Sequence, residues 1–127
     1  MVSILIKADS RYPVARKKLK ESIRRFLAKH GVREKAQVSL AVVGDRRMRQ
    51  LNRQYRKVDQ TTSVLAFPLE IEGGEFMTPP DENLLLGDVV ISYPVARRQA
   101  AAEGILVDEV MEKLAIHGVR HLLGINH

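Results

Sequence analysis

Two short runs rich in branched apolar residues, VSILIKA (2–8) and AQVSLAVV (36–43), flank a single amphipathic stretch, and this spacing constrains the fold most. From Val14 to His30 the apolar residues Leu19, Ile23, Phe26 and Leu27 recur at helical spacing, opposite Arg16, Lys17, Lys20 and Arg24. Pro13 falls near the first turn and Gly31 just past the last, so both ends of this helix are marked. His30 reads as a cation at a helix C-terminus, where the dipole favours it, and not as a ligand. A second helix is expected from about Arg46 to about Lys57, with Asp45 as its N-cap and Met48, Leu51 and Tyr55 as its buried stripe. Val64–Pro68 reads as a short strand, and residues 72–83, rich in Gly, Pro and acid, as a loop or hairpin excursion. Leu84–Ser92 forms a strand interrupted by Gly87-Asp88, where glycine marks a bulge or a close backbone approach. A helix from Val95 to Glu103, opened by Tyr93-Pro94 and closed by Gly104, precedes a last helix that begins at Asp108. The order β-α-β-α-β-β-α-α predicts an α+β fold: a single domain over residues 1–127, a mixed four-stranded sheet with about four helices packed on it.

At 127 residues the chain is long enough to bury a core of its own. It contains no run approaching the roughly 18 apolar residues of a membrane span, and the N-terminal MVSILIKADS lacks the basic lead of a signal peptide. Absence of cysteine excludes disulfides, thiolate ligands and a thiol nucleophile, and fits a cytoplasmic protein. The net charge of +6 conceals an asymmetry: residues 1–60 carry 17 Lys/Arg against 5 Asp/Glu, whereas residues 61–127 carry 4 against 10. A chain basic in one half suggests one face presented to a polyanion, with nucleic acid the foremost such partner. The helix at 46–57 concentrates this charge, for Arg46, Arg47, Arg49, Arg53, Arg56 and Lys57 are unrelieved by any acid. Like charges a turn apart destabilise a helix, so a use for them in phosphate contact is expected.

Three of the four histidines lie in the final eleven residues, His117-Gly-Val-Arg-His121-Leu-Leu-Gly124-Ile-Asn-His127. His117 and His121, spaced i, i+4, project from one face of a helix, and Gly124 supplies the left-handed conformation that ends it. The chain can then turn back and bring His127 to the same side, giving three imidazoles and an open fourth position, the ligand set of a catalytic zinc site at the end of the last helix. Val110, Leu114, His117 and His121 fall on one stripe, so the two imidazoles are expected to face inward with the core. Asp88 reads either as a hydrogen-bond acceptor for a histidine N–H or as an exposed turn residue.

Histidines at relative positions 0, 4 and 10 with glycine at 7 match the HExxHxxGxxH pattern of metzincin peptidases, but Gly118 stands where the glutamate general base belongs. Phosphodiester hydrolysis asks for different help: a metal to activate water and polarise a phosphoryl oxygen, and an arginine to stabilise the charge that builds. The basic helix supplies the arginines, so a nuclease is favoured over a peptidase. A non-cleaving assembly factor with a purely structural metal is the other alternative.

The chain resembles the YbeY family of bacterial endoribonucleases in three segments taken in order. These are Leu51-Asn-Arg-Gln-Tyr55-Arg56-Lys-Val-Asp59-Gln-Thr61-Thr-Ser-Val64-Leu65-Ala-Phe67-Pro68, Leu86-Gly87-Asp88-Val-Val-Ile91, and the His117–His127 stretch. Three departures accompany the match: Ser63 replaces the family's usual Asp or Asn, Ile125-Asn126 its Tyr-Asp, and Arg120 a leucine. The resemblance implies a zinc-dependent, single-strand-specific endoribonuclease of 16S ribosomal RNA maturation and ribosome quality control, with one zinc per chain. It implies His117, His121 and His127 as metal ligands, His117 also counting with Arg56 in the catalytic set, while the charge of the basic helix marks Arg46, Arg47, Arg49, Arg53 and Lys57 as RNA contacts. Ribosomal RNA, the small ribosomal subunit, a small-subunit ribosomal protein and the Era GTPase are the implied partners.

Overall fold

The computed structural model of the chain describes residues 2–32, 35–68 and 84–125. Four strands, β1 (Ser3–Ala8), β2 (Ala36–Val43), β3 (Val64–Pro68) and β4 (Leu84–Ser92), make one sheet in the order β1-β2-β4-β3. β1, β2 and β4 run parallel, and β3 pairs antiparallel with β4 at the end of the sheet. The mixed four-stranded sheet and α+β class expected from the sequence are therefore observed, with helices α1 (Arg16–Lys29), α2 (Asp45–Arg56), α3 (Tyr93–Glu103) and α4 (Val107–Leu122) packed on it. Helix ends fall within two residues of the expected ones. The excursion expected at 72–83 lies outside the described residues.

The helices divide unequally between the two sheet faces. On one face Ile4, Val38, Leu40 and Ile91 meet Ile23 and Leu27 of α1 and Met111 and Val119 of α4 in the main core. On the other, α2 packs alone among the described residues, burying Met48 and Leu51 against Leu65 and Val90. Alternation along the strands makes this possible, since successive side chains of β4 serve opposite faces: Val89 and Ile91 the main core, Val90 the α2 side.

Gly87 shows why glycine interrupts β4. Its φ is +141°, a register shift stands beside it in the β2–β4 pairing, and a Cβ there would collide with the Phe67 carbonyl oxygen and the Leu122 side chain. The interruption is a bulge and a close approach at once. Gly118, in the middle of α4, is needed for a different reason: a Cβ would stand 2.5 Å from Val89 Cγ1, below any real contact distance, so only glycine lets α4 lie this close to β4. The last turn of α4 closes as the sequence predicts, Gly124 (φ +75°) donating to the His121 carbonyl at 3.0 Å and Ile125 to the Arg120 carbonyl at 3.0 Å.

Asp45 does not cap α2. Gly44 occupies the N-cap position, and Asp45 lies in the first turn, its carboxylate tied to Arg98 at 3.0 Å and to the Thr61 and Ser92 hydroxyls at 3.2 Å each. It fastens the start of α2 to α3, to the end of β4 and to the segment entering β3. The Arg98 guanidinium, followed by the two hydroxyls, holds the Asp45 carboxyl below its ordinary 3.8. A depressed pKa contributes stability above that ordinary value and loses it as the pH falls through the folded one. Asp45→Asn is expected to lower stability at neutral pH by about 0.5–1 kcal/mol, a modest value because the pair is solvent-screened. The difference between urea melts of the two proteins should begin to shrink near pH 3.8 and vanish only at pH values below the depressed folded pKa.

Candidate metal and nucleic-acid site

The sheet ends at β3, and there helices from opposite faces meet. α2 brings Asn52 and Arg56, α4 brings His117, Gly118 and His121, and Thr62 with Val64, Leu65 and Ala66 of β3 forms the wall between them. The cleft so enclosed measures about 330 Å³. Arg56 and the two histidines, picked from segments 60 residues apart, thus line one space.

His117 and His121 project from adjacent turns with ring centroids 4.7 Å apart and planes inclined at 72°. The inward orientation expected for them is not found. The buried stripe of α4 is Val110, Met111, Leu114, Ala115, Gly118 and Val119, and both histidines lie beside it, exposed to the cleft. The reason is that the buried face runs in two i+4 rows, Val110-Leu114-Gly118 and Met111-Ala115-Val119, with Gly118 pressed on Val89, so positions 117 and 121 fall at its edge. Among the described residues neither imidazole has a hydrogen-bond partner, and in water neither needs one.

Two imidazoles one turn apart, in edge contact with each other and bonded to no other described residue, are nitrogen donors that could serve one metal ion. Among the described residues no group of three or more His, Asp or Glu could hold a metal. His127, the third expected ligand, and the neighbouring Asn126 lie outside the described residues. Among the described residues Asp88 accepts from neither His117 nor His121. It projects on the α2 side of β4, into a second cleft with Lys7, Arg47 and Tyr55.

Arg56 ends α2, exposed, with no hydrogen bond or ion pair to any described residue, so its guanidinium is available to a ligand in the cleft. Lys57 follows in the left-handed conformation (φ 61°), which stops the helix there. The remaining charge of α2 is spread around the helix. Arg49 is held by Asp59 at 2.9 and 3.1 Å in a two-pronged bridge, which depresses the Asp59 pKa and pins the segment leaving the helix. Arg47 opens on the second cleft and Arg46 on a recess with Asp59, while neither Arg53 nor Lys57 lines the histidine cleft. Two cations of α1 also serve the fold, for Arg16 and Arg24 donate to the Ile6 and Val2 carbonyls at 2.6 and 3.1 Å.

Asn52 carried no role in the sequence reading, yet it is buried at the base of the cleft and donates its amide to the Gln60 carbonyl at 2.9 Å. Its signal was a polar residue on the buried stripe, one position past Leu51 and four past Met48.

Comparison with known proteins bears on the family and the fold. The endoribonuclease YbeY family matches residues 5–127. An endoribonuclease YbeY of Anaeromyxobacter dehalogenans is 39% identical over 127 residues, 98% of this chain and 62% of the relative. One from Pelotomaculum thermopropionicum is 44% identical over 109 residues, 86% of this chain and 70% of its own, and one from Dehalococcoides mccartyi 35% identical over 99% and 80%. The chain thus spans 62 to 80% of these three relatives. The solution structure of a Thermotoga maritima protein shares the fold with a TM-score of 0.63 at 24% identity, covering all of this chain and 75% of that one. With the family matched across nearly its whole length and curated relatives at this identity, the chain belongs to the YbeY endoribonuclease family.

Proposed function

We propose that the protein is a metal-dependent endoribonuclease that hydrolyses single-stranded RNA in the cleft between α2 and α4. One observation carries this reading: an unengaged arginine and two unengaged histidines line the same space, and no carboxylate lines it among the described residues. A cleft of that composition suits an anionic phosphodiester and lacks the base that peptide attack requires.

His117 and His121 would hold the metal, with His127 as the third ligand and one zinc per chain. Zinc bound there supplies a Lewis acid and an activated water. Arg56 binds the phosphate and stabilises the charge that accumulates on its non-bridging oxygens. Arg49 and Asp59 fix the segment that follows α2 and so hold the Arg56 end of the helix in place. Arg46, Arg47, Arg53 and Lys57, exposed around the same helix, extend contacts along the RNA backbone, and the Arg49 contribution is reduced by its bridge.

Family membership supports small-subunit (16S) ribosomal RNA maturation and ribosome quality control as the setting, in the cytoplasm. The small ribosomal subunit, one of its proteins and the Era GTPase would be the accompanying partners. Among the described residues no helix is long and apolar enough to cross a membrane.

Incubation with a single-stranded RNA and, separately, a peptide library tests the reading. Zinc-loaded protein is expected to cleave the RNA, to lose that activity on chelation, and to leave the peptides intact. Peptide turnover that chelation abolishes, with RNA untouched, would replace this reading with a peptidase.

A further inference from the structure

The two edges of the sheet are treated differently. At the β1 edge, outward-facing carbonyls of Val2 and Ile6 accept hydrogen bonds from Arg24 and Arg16, so the backbone there is already engaged. At the β3 edge the outward groups follow from the register. Ser92 donates to the Ser63 carbonyl at 2.9 Å, which makes Ser63–Ser92 a hydrogen-bonded pair of the ladder. Pairs alternate along an antiparallel ladder, so Leu65 and Phe67 bond to Val90 and Asp88, while Val64 and Ala66 turn their N–H and C=O groups away from β4. Pro68, which has no N–H, falls on the same outward parity, where the ladder loses nothing by it. Val64 and Ala66 line the cleft with Arg56, His117 and His121, and no described residue outside the sheet bonds to their main chain.

We propose that the outward main-chain edge of β3 is part of the substrate site, the N–H groups of Val64 and Ala66 donating to the phosphodiester oxygens of RNA bound in the cleft. The proposal rests on the nuclease reading and adds donors that no side chain supplies. The outward N–H groups alternate with carbonyls, and beside a guanidinium and two imidazoles, with no carboxylate among the described residues lining the cleft, they are donors placed for an anion. Fixed backbone donors also cost no rearrangement when charge builds on the phosphate. The edge makes the cleft chiral: its donors lie on the β3 side only, so they reach one of the two non-bridging oxygens.

Ala66→Pro deletes one donor and leaves the ladder to β4 intact, because residue 66 does not donate to it. In the zinc-loaded full chain, zinc content and circular dichroism should match the wild type while cleavage of single-stranded RNA falls on the order of 10- to 100-fold. Wild type should also distinguish the two phosphorothioate diastereomers at the scissile position, and Ala66→Pro should lose that distinction, which a merely loosened strand would not do. If the proline variant does not fold, an amide-to-ester replacement at residue 66 removes the same N–H with the side chain unchanged and is read in the same way. Cleavage within twofold of wild type and an undiminished diastereomer preference, in a folded protein lacking this donor, would overturn the proposal and leave the nuclease reading standing. Absence of RNA cleavage by the wild type would overturn both. Protection of the Ala66 amide from exchange by an extended peptide, and not by single-stranded RNA, would assign the edge to a different occupant.

Discussion

Gly118→Glu, the one substitution that would complete a zinc-peptidase motif around the first histidine pair, is expected to destabilise the protein by at least about 3 kcal/mol and to confer no peptidase activity. Position 118 looks into the sheet: a Cβ there stands 2.5 and 3.0 Å from the two γ-methyls of Val89, which is itself fully buried. Gly118→Ala alone should cost about 1–3 kcal/mol through overpacking. Glutamate adds a carboxylate driven toward an apolar core, and with a total stability of roughly 5–15 kcal/mol that is a large fraction. Chemical denaturation of the three proteins measures this series. A Gly118→Glu protein with wild-type stability would mean that α4 does not lie against β4 as described. The peptidase base is therefore missing for a packing reason: the residue between the histidines' turns is the point at which the helix touches the sheet.

Arg56→Ala should have the opposite profile, with stability and metal content kept and chemistry lost. The side chain is exposed and bonded to no described residue, so its removal should change stability by no more than about 0.5 kcal/mol. Removing a cation that stabilises transition-state charge is expected to lower kcat on the order of 100-fold or more, with KM changing far less. Arg56→Lys should recover part of the rate, since it restores the charge without the planar fork. Single-turnover cleavage of an RNA oligonucleotide separates these effects. Equal loss in Arg46→Ala, which lies outside the cleft, would point to general electrostatic attraction and away from a placed arginine.

Much of this was legible in the sequence because periodicity reports directly on burial. The strands at 2–8, 36–43, 64–68 and 84–92 and the α+β class followed from apolar spacing, and Gly124 and Gly87 announced a helix end and a bulge. What misled was treating a stripe as uniform. Val110 and Leu114 are core, but the same stripe extended to His117 and His121 overruns the turn where Gly118 takes over the contact. Asp45 looked like a cap because its neighbours hid its partners, which lie 16, 47 and 53 residues away. The basic helix overstated its free charge for the same reason, since the bridge from Arg49 to Asp59 depends on how the chain folds back after α2. Asn52 and the open edge of β3 left the faintest trace, because one is a single polar letter among apolar ones and the other consists of backbone, which every residue has.

The central claim, that His117 and His121 hold the metal on which RNA cleavage depends, is tested most directly by titrating zinc into metal-free protein while following bound metal and single-stranded RNA cleavage together. Activity is predicted to rise in step with binding and to saturate at one zinc per chain, and His121→Ala is predicted to lose both. Full cleavage by metal-free protein, or undiminished zinc binding and cleavage in His121→Ala, would contradict it.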